Sequence, residues 1–410
     1  MVEPAENASL NHTLCAPYDP YSTVRFVLIL IASVVSLAGI GTNLTLTLVF
    51  ARLTKAERTN KTNYLYLATL SVYEAAFSAC FFVLFGLDAL ALYPHSPFLF
   101  HLYFAVLLPF FVLSFIVLLG IPYLIILATF EKWLTSSPKT QFQLWADVFT
   151  TAKARIALTV SVLALTFAVR IPTAFAYLVQ KFPNCTDLFG KMQLYPTELV
   201  HDPAYVVFDI YIVNILDVFI PFILLLFLNV GVLNNMRSSK TQFEVRASVT
   251  DMTATSLVVI TAGTKGEDAI MHRVLNDVKS AEQSSVTDEE EALSAARQTT
   301  ISILMLVTSY LLCTAPSFVL TLLEHFRPTL LLTEDGTSNS LYVVWGDVVS
   351  VLFMFNSFLS MFILYKCDNQ IKDEIDRLYN LRCAKVSGDR ANGQTDYFAG
   401  IEMSLIDADL

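Results

Sequence analysis

YFAVLLPFFVLSFIVLLGIPYLIILATFEKW, from Tyr103 to Trp133, is too long and too apolar for the surface helix of a water-soluble domain. The surrounding run from Phe98 to Phe130 holds no Lys, Arg, Asp or Glu, whereas roughly 20 apolar residues already span a bilayer as a helix. The run stops at Glu131-Lys132-Trp133, an acid, a base and an indole in a row. That is how a spanning helix reaches an interface, and the surplus length implies tilt or burial among other helices.

The rest of the chain agrees. Hydrophobic residues make up 55% of the sequence and charged ones 15%, which excludes an ordinary globular domain and leaves the membrane class. The net charge of −10 collects in one long loop and the tail, and no basic stripe for nucleic acid is present. The cysteines Cys15, Cys80, Cys185, Cys313, Cys367 and Cys383 form no CxxC pair, so no zinc or redox site is expected. No metalloprotease HExxH, phosphate-binding glycine loop or serine elbow occurs. The reading is therefore a non-enzyme without cofactor or metal. The first 22 residues lack Lys, Arg and a short apolar core, so a cleaved leader is not expected and the first span would act as its own export signal.

Apolar runs predict seven spans, at about 26–50, 63–91, 100–130, 156–179, 205–233, 300–323 and 342–364, hence an all-α seven-helix membrane bundle. Arg52, Lys55, Arg58 and Lys61 crowd the first short loop, and Lys132, Lys139, Lys153 and Arg155 flank the second. This bias puts the amino terminus outside and the carboxyl terminus inside. The sequons at Asn7, Asn11 and Asn184 all fall outside, where glycosylation is possible, while those at Asn43 and Asn60 should be silent. Residues 1–23 read as an extracellular segment, 24–366 as the spanning domain with its long polar inner loop at 237–297, and 367–410 as a helix and cytoplasmic tail. The loop is too polar to bury a core. Within it Thr287-Asp-Glu-Glu290 matches a capping box that would start the sixth helix. Ile371, Ile375 and Leu378 recur at helical spacing, the mark of a short amphipathic helix on the inner leaflet, and Cys383 beyond it is a palmitoylation candidate or a free thiol.

Ionisable groups within spans mark functional positions by default. Glu74, Asp88, Arg170, Asp209, Asp217 and Asp347 qualify. Glu74 either forms a polar hub with Asn43 and Asn356 or is a satisfied neutral acid. Asp347 and Asp209, with Glu324 and Asp335, make an anionic mouth ringed by Tyr205, Tyr211, Tyr342 and Trp345, suited to a cationic aromatic ligand. The alternative is that Asp347 pairs with Arg170 or water and the aromatics are interfacial anchors. Pro109, Pro122, Pro172, Pro221 and Pro316 each remove a helical hydrogen bond, and Pro316, midway along the sixth span, is a hinge candidate.

Several motifs stand in a familiar order. They are Gly41-Thr-Asn43; Thr62 to Glu74; Thr129-Phe-Glu131-Lys132-Trp133; Arg170-Ile-Pro172; Ile220-Pro221-Phe222 with Leu228-Asn229; Arg297-Gln-Thr-Thr-Ile-Ser-Ile303; Cys313-Thr-Ala-Pro316; and Asn356 to Tyr365. From about Phe26 to Leu381 the chain resembles the rhodopsin-like G-protein-coupled receptors, most closely the FMRFamide-type neuropeptide and related serpentine receptors abundant in nematodes. The resemblance implies a plasma-membrane glycoprotein that binds a short extracellular peptide and signals through a heterotrimeric G protein. Ligand contact falls, on this reading of the acidic and aromatic mouth, to Asp347, Asp209, Glu324, Tyr342 and Tyr205. The resemblance assigns switching and coupling to Glu131, Lys132, Trp133, Glu74, Asn43, Pro221, Cys313, Pro316, Asn356 and Tyr365.

The chain departs from the family's pattern in specific places. Lys132 stands for the usual arginine, and a point-charge ammonium cannot make the guanidinium's bidentate contacts. The sixth-span hinge lacks its tryptophan, the seventh span lacks its usual proline and holds Ser360 where asparagine is expected, and the third span begins without the cysteine that tethers the second outer loop. Cys185 is thereby left to pair with Cys15 across the oxidising face or to remain a thiol. Two other readings follow: a receptor-like decoy, accessory or chemosensory serpentine protein that couples weakly or not at all, and a transporter, for which no inverted repeat is visible.

Overall fold

The computed structural model describes residues 22–56, 64–137, 140–238, 297–324, 326 and 340–379. The chain is an all-α membrane protein in which seven helices are long and apolar enough to cross a bilayer: Thr23–Lys55, Tyr64–Leu92, Pro97–Ser136, Ala152–Ala176, Pro203–Ser238, Arg297–Glu324 and Val344–Cys367. They are called the first to seventh helices below. Asn7, Asn11, Cys15, Asp335, the capping box and Cys383 lie outside the described residues.

Each predicted span is present, and the helices run past the apolar runs at one or both ends. The fourth is the exception. It stops at Ala176, and Tyr177–Lys181 (β1) pairs antiparallel with Met192–Pro196 (β2) in a hairpin before the fifth helix. Tyr177, Leu178 and Val179, assigned to a span by their apolarity, alternate between half-buried and exposed along β1. We call this the hairpin end of the bundle and the opposite one the tail end.

Leu46, Phe50, Tyr64, Leu124, Ile125, Leu225, Val307 and Met354 are almost fully enclosed in the core. Helices meet closely where a glycine faces a ring. A Cβ on Gly120 of the third helix would overlap the Tyr73 ring of the second, lying 2.9 Å from Cδ1, and one on Gly231 of the fifth would lie 2.7 Å from Trp133 Nε1. Many hydroxyls inside the helices turn back on their own backbone, as Thr129 Oγ1 does to Ile125 O at 2.7 Å, which supplies them with a partner inside the helix.

Pro109 and Pro122 sit inside a third helix that continues unbroken over 40 residues. Irregularity appears elsewhere, as π-helical turns at Phe82–Leu87, Val207–Val213 and Ile215–Phe219. Past the seventh helix, residues 369–379 form the expected amphipathic helix. Its apolar face is turned against the bundle: Ile371 and Ile375 are buried in the common core and Leu378 packs on it. Tyr64 Oη donates to Gln370 Oε1 at 2.7 Å, and Arg52 pairs with Glu374 at 3.5 Å, both holding this helix to the first two.

Candidate functional site

The acids of the hairpin end occur in three separate settings rather than one ring. Asp347 is held by Arg25 of the first helix, Nε donating to Oδ2 at 3.1 Å and Nη2 to Oδ1 at 3.3 Å, so the base that pairs with it is Arg25 rather than Arg170. Glu324, at the end of the sixth helix, sets its negative charge near the Tyr342 phenol. Asp209 and Asp217, one on each π-helical segment of the fifth helix, share Arg170.

Arg170 closes the first regular stretch of the fourth helix, Ala152–Arg170, with its side chain only 6% exposed. It binds Asp217 through Nη2, lies 3.9 Å from Asp209 through Nη1, and sits over the Phe115 ring at 5.1 Å. Its Nε finds no hydrogen-bond partner. Asp209 is 40% exposed and has only the long contact to Arg170 as an ion pair, while the phenols of Tyr177 and Tyr205 lie within its field. Phe111 packs edge-on against Tyr177 at 5.1 Å, completing an aromatic wall. Asp209 thus keeps an exposed carboxylate whose ion contact among the described residues is long.

At the third helix's start, where the expected cysteine is missing, Phe189 of the hairpin turn meets His95 and Phe100 edge-on at 5.1 and 5.2 Å. Aromatic packing holds the turn where a covalent tether was expected. Cys185, buried in the same turn, is disulfide-bonded, and Cys80, Cys313 and Cys367 are free. Asn184 beside it is exposed.

Midway along the bundle the polar hub is present, but serines connect it. Asn43 Nδ2 donates to Ser357 O and Oγ, both at 3.0 Å; Ser357 Oγ donates to Glu74 O at 3.1 Å; Ser360 Oγ donates to Glu74 Oε1 at 3.0 Å. Asn356 joins through its carbonyl, which accepts from Ser360 Oγ at 3.2 Å; its Oδ1 accepts from Ser309 of the sixth helix at 2.9 Å, and it lines with Glu74 a cavity of about 10 Å³, room for about one water. Ser360, standing where asparagine was expected, is the residue that satisfies the Glu74 carboxyl. The hinge also has a substitute partner. Trp345, assigned to the mouth, instead donates its indole N–H to the Pro316 carbonyl at 3.1 Å from the seventh helix.

At the tail end Glu131 and Lys132 part company. Glu131 takes a bidentate, buried pair with Arg155 of the fourth helix, Nη2 to Oε1 at 2.6 Å and Nε to Oε2 at 3.1 Å. Lys132 acts on Asp368, which caps the final helix by accepting from the amides of Gln370 and Ile371 at 3.0 and 3.2 Å. Burial pushes the Asp368 carboxyl above the usual carboxylate range. Asn229 Nδ2 donates to Thr308 Oγ1 at 3.2 Å between the fifth and sixth helices, and Tyr365 Oη donates to Asp376 Oδ1 at 3.1 Å.

Sequence reading missed the roles of Arg25, Asp368 and Ser357, noted Ser360 only as a departure, and treated Arg155 only as a loop-flanking base. Arg25 and Arg155 had a signal, since each is a base in the first turn of a spanning helix where it could answer an acid on a neighbour. Ser360 had one, as the residue standing where asparagine is expected, whereas Ser357 had none, because serine is unremarkable in a spanning helix.

No relative identifies the chain. No protein-family model matches it, and no curated protein matches it in sequence.

Proposed function

We propose that the protein is a seven-helix receptor of the plasma membrane, amino terminus outside, that binds a short cationic, aromatic peptide of the amidated FMRFamide-like kind and signals to a heterotrimeric G protein. The observation that carries the reading is Asp209: an exposed carboxylate with one long ion contact, walled by Tyr177, Tyr205 and Phe111, at the end that also bears the exposed glycosylation sequon at Asn184. A ligand guanidinium would gain a charge-assisted bond there and aromatic faces beside it. Asp347 would have to surrender Arg25 first. Binding that draws on Asp209 would bias the fifth helix, with its π-helical turns, and through Phe222 stacked on Phe318 at 4.6 Å the sixth helix next to Pro316.

Amidated Arg-Phe peptides applied to cells expressing the full chain, read by second messenger, test this. Asp209→Asn is expected to lose about ten- to a hundredfold in potency, the equivalent of about 1.5–3 kcal/mol for a charged hydrogen bond, while Asp347→Asn shifts it less. Equal potency of wild type and Asp209→Asn would remove Asp209 as counter-ion.

A sequence feature also favours the decoy reading: Lys132 stands where the resemblance expects arginine, and a point-charge ammonium cannot make the guanidinium's bidentate contacts. Lys132→Arg separates the two, since a gain of signalling from a silent wild type supports the decoy and robust wild-type signalling rejects it.

We also propose that Cys185 is bonded to Cys15. Four spans separate Cys15 from the hairpin, which returns it to the same side of the membrane, whereas Cys383 lies three spans away on the other side. Non-reducing peptide mapping should recover one linked peptide holding both, and finding the two as thiols would refute the bond.

A further inference from the structure

The helix Thr140–Phe149 joins the third and fourth helices at the tail end. One side of it is docked: Ala146 is buried, and the Phe149 ring meets Phe130 of the third helix edge-on at 5.9 Å. The adjoining side is bare. Trp145 and Val148, three residues apart and so neighbours on a helix, are 60% and 59% exposed, while Asp147 falls on the side away from both.

The depth of this helix says what covers the bare stripe. Phe130 is the last residue of the uncharged run, and Glu131 and Lys132 are the first charges after it. A helix packed on Phe130 therefore lies where hydrocarbon gives way to headgroups. It cannot leave that level, because only residues 150 and 151 separate Phe149 from Ala152, a reach of about 11 Å at full extension. Tryptophan is favoured at this boundary, and an amphipathic helix there buries its apolar stripe among the acyl chain ends. Lys153, exposed at the start of the fourth helix, supplies charge for anionic headgroups at the same level.

We propose that Thr140–Phe149 is a membrane-surface anchor that seats Trp145 and Val148 in the headgroup–acyl boundary of an anionic leaflet. The inference does not depend on any ligand or G protein.

The test uses the full chain in nanodiscs of phosphatidylcholine and phosphatidylserine, with lipids brominated either near the headgroup or near the chain terminus. Subtracting the emission of Trp145→Phe isolates Trp145 from Trp133 and Trp345. Shallow bromines are expected to remove most of the Trp145 signal, terminal bromines less, and aqueous acrylamide little. Val148→Asp, which charges the stripe without touching the docked side, is expected to shift Trp145 emission to the red and open it to acrylamide. A Trp145 signal that acrylamide quenches and shallow bromines leave intact in the unaltered chain would overturn the proposal. That result would mean the stripe faces water and is free for a protein partner.

Discussion

Arg155→Ala is expected to destabilise the bundle by about 3–5 kcal/mol, read as a lower unfolding midpoint of the purified full chain in denaturant. The cause is less the lost attraction than the charge left behind. Glu131 is 5% exposed and both its oxygens point at the guanidinium, so the truncated protein holds a buried carboxylate with no bidentate partner. Lys132 beside it cannot substitute, since its charge acts on Glu131 only as a point source. Removing both charges with Glu131→Gln and Arg155→Met should return most of the loss, because a buried pair exchanged for neutral groups of like volume is often close to neutral. A single-variant cost of only about 0–1 kcal/mol, the range of an exposed pair, would show that water reaches the site.

The same pair shows how far the sequence could be read. Seven runs of apolar residues were enough to specify the bundle, because lipid leaves a backbone of that length no alternative to helix. The rank of each helix and the interest of Glu74, Arg170 and Asp209 were legible too, since a charge inside an apolar run stands out, and Glu131 was legible as the acid that ends the longest run. Partners were not legible. Glu131 meets a base 24 residues away and Asp347 one 322 residues away, and nothing in local spacing selects Arg155 over Lys132 or Arg25 over Arg170. Such choices depend on which helices adjoin and how each is rotated. The hairpin was hidden for a different reason: Tyr177-Leu-Val is as apolar as the helix before it, and only its alternation, over too few residues to weigh, separates strand from span.

Rotation is fixed in part by residues that carry no chemistry, and Gly120→Ala is expected to show it. In an open helix the exchange gains up to about 1 kcal/mol, as Gly41→Ala should, because Gly41 has nothing within 4 Å of a built Cβ. At Gly120 the methyl would overlap the Tyr73 ring. That ring cannot swing aside without cost, since it is packed against the buried core. The second and third helices must separate instead, and the expected result is a net loss of about 1–3 kcal/mol, the usual range for overpacking. Because Tyr73 and Glu74 are neighbours, that separation would also draw the Glu74 carboxyl off Ser360 Oγ. Tyr73→Leu, which trims the ring, should turn the same Gly120→Ala exchange from loss to gain. Unfolding midpoints of the four proteins in this cycle measure the coupling, and additive effects would mean that the glycine is not what lets these two helices touch.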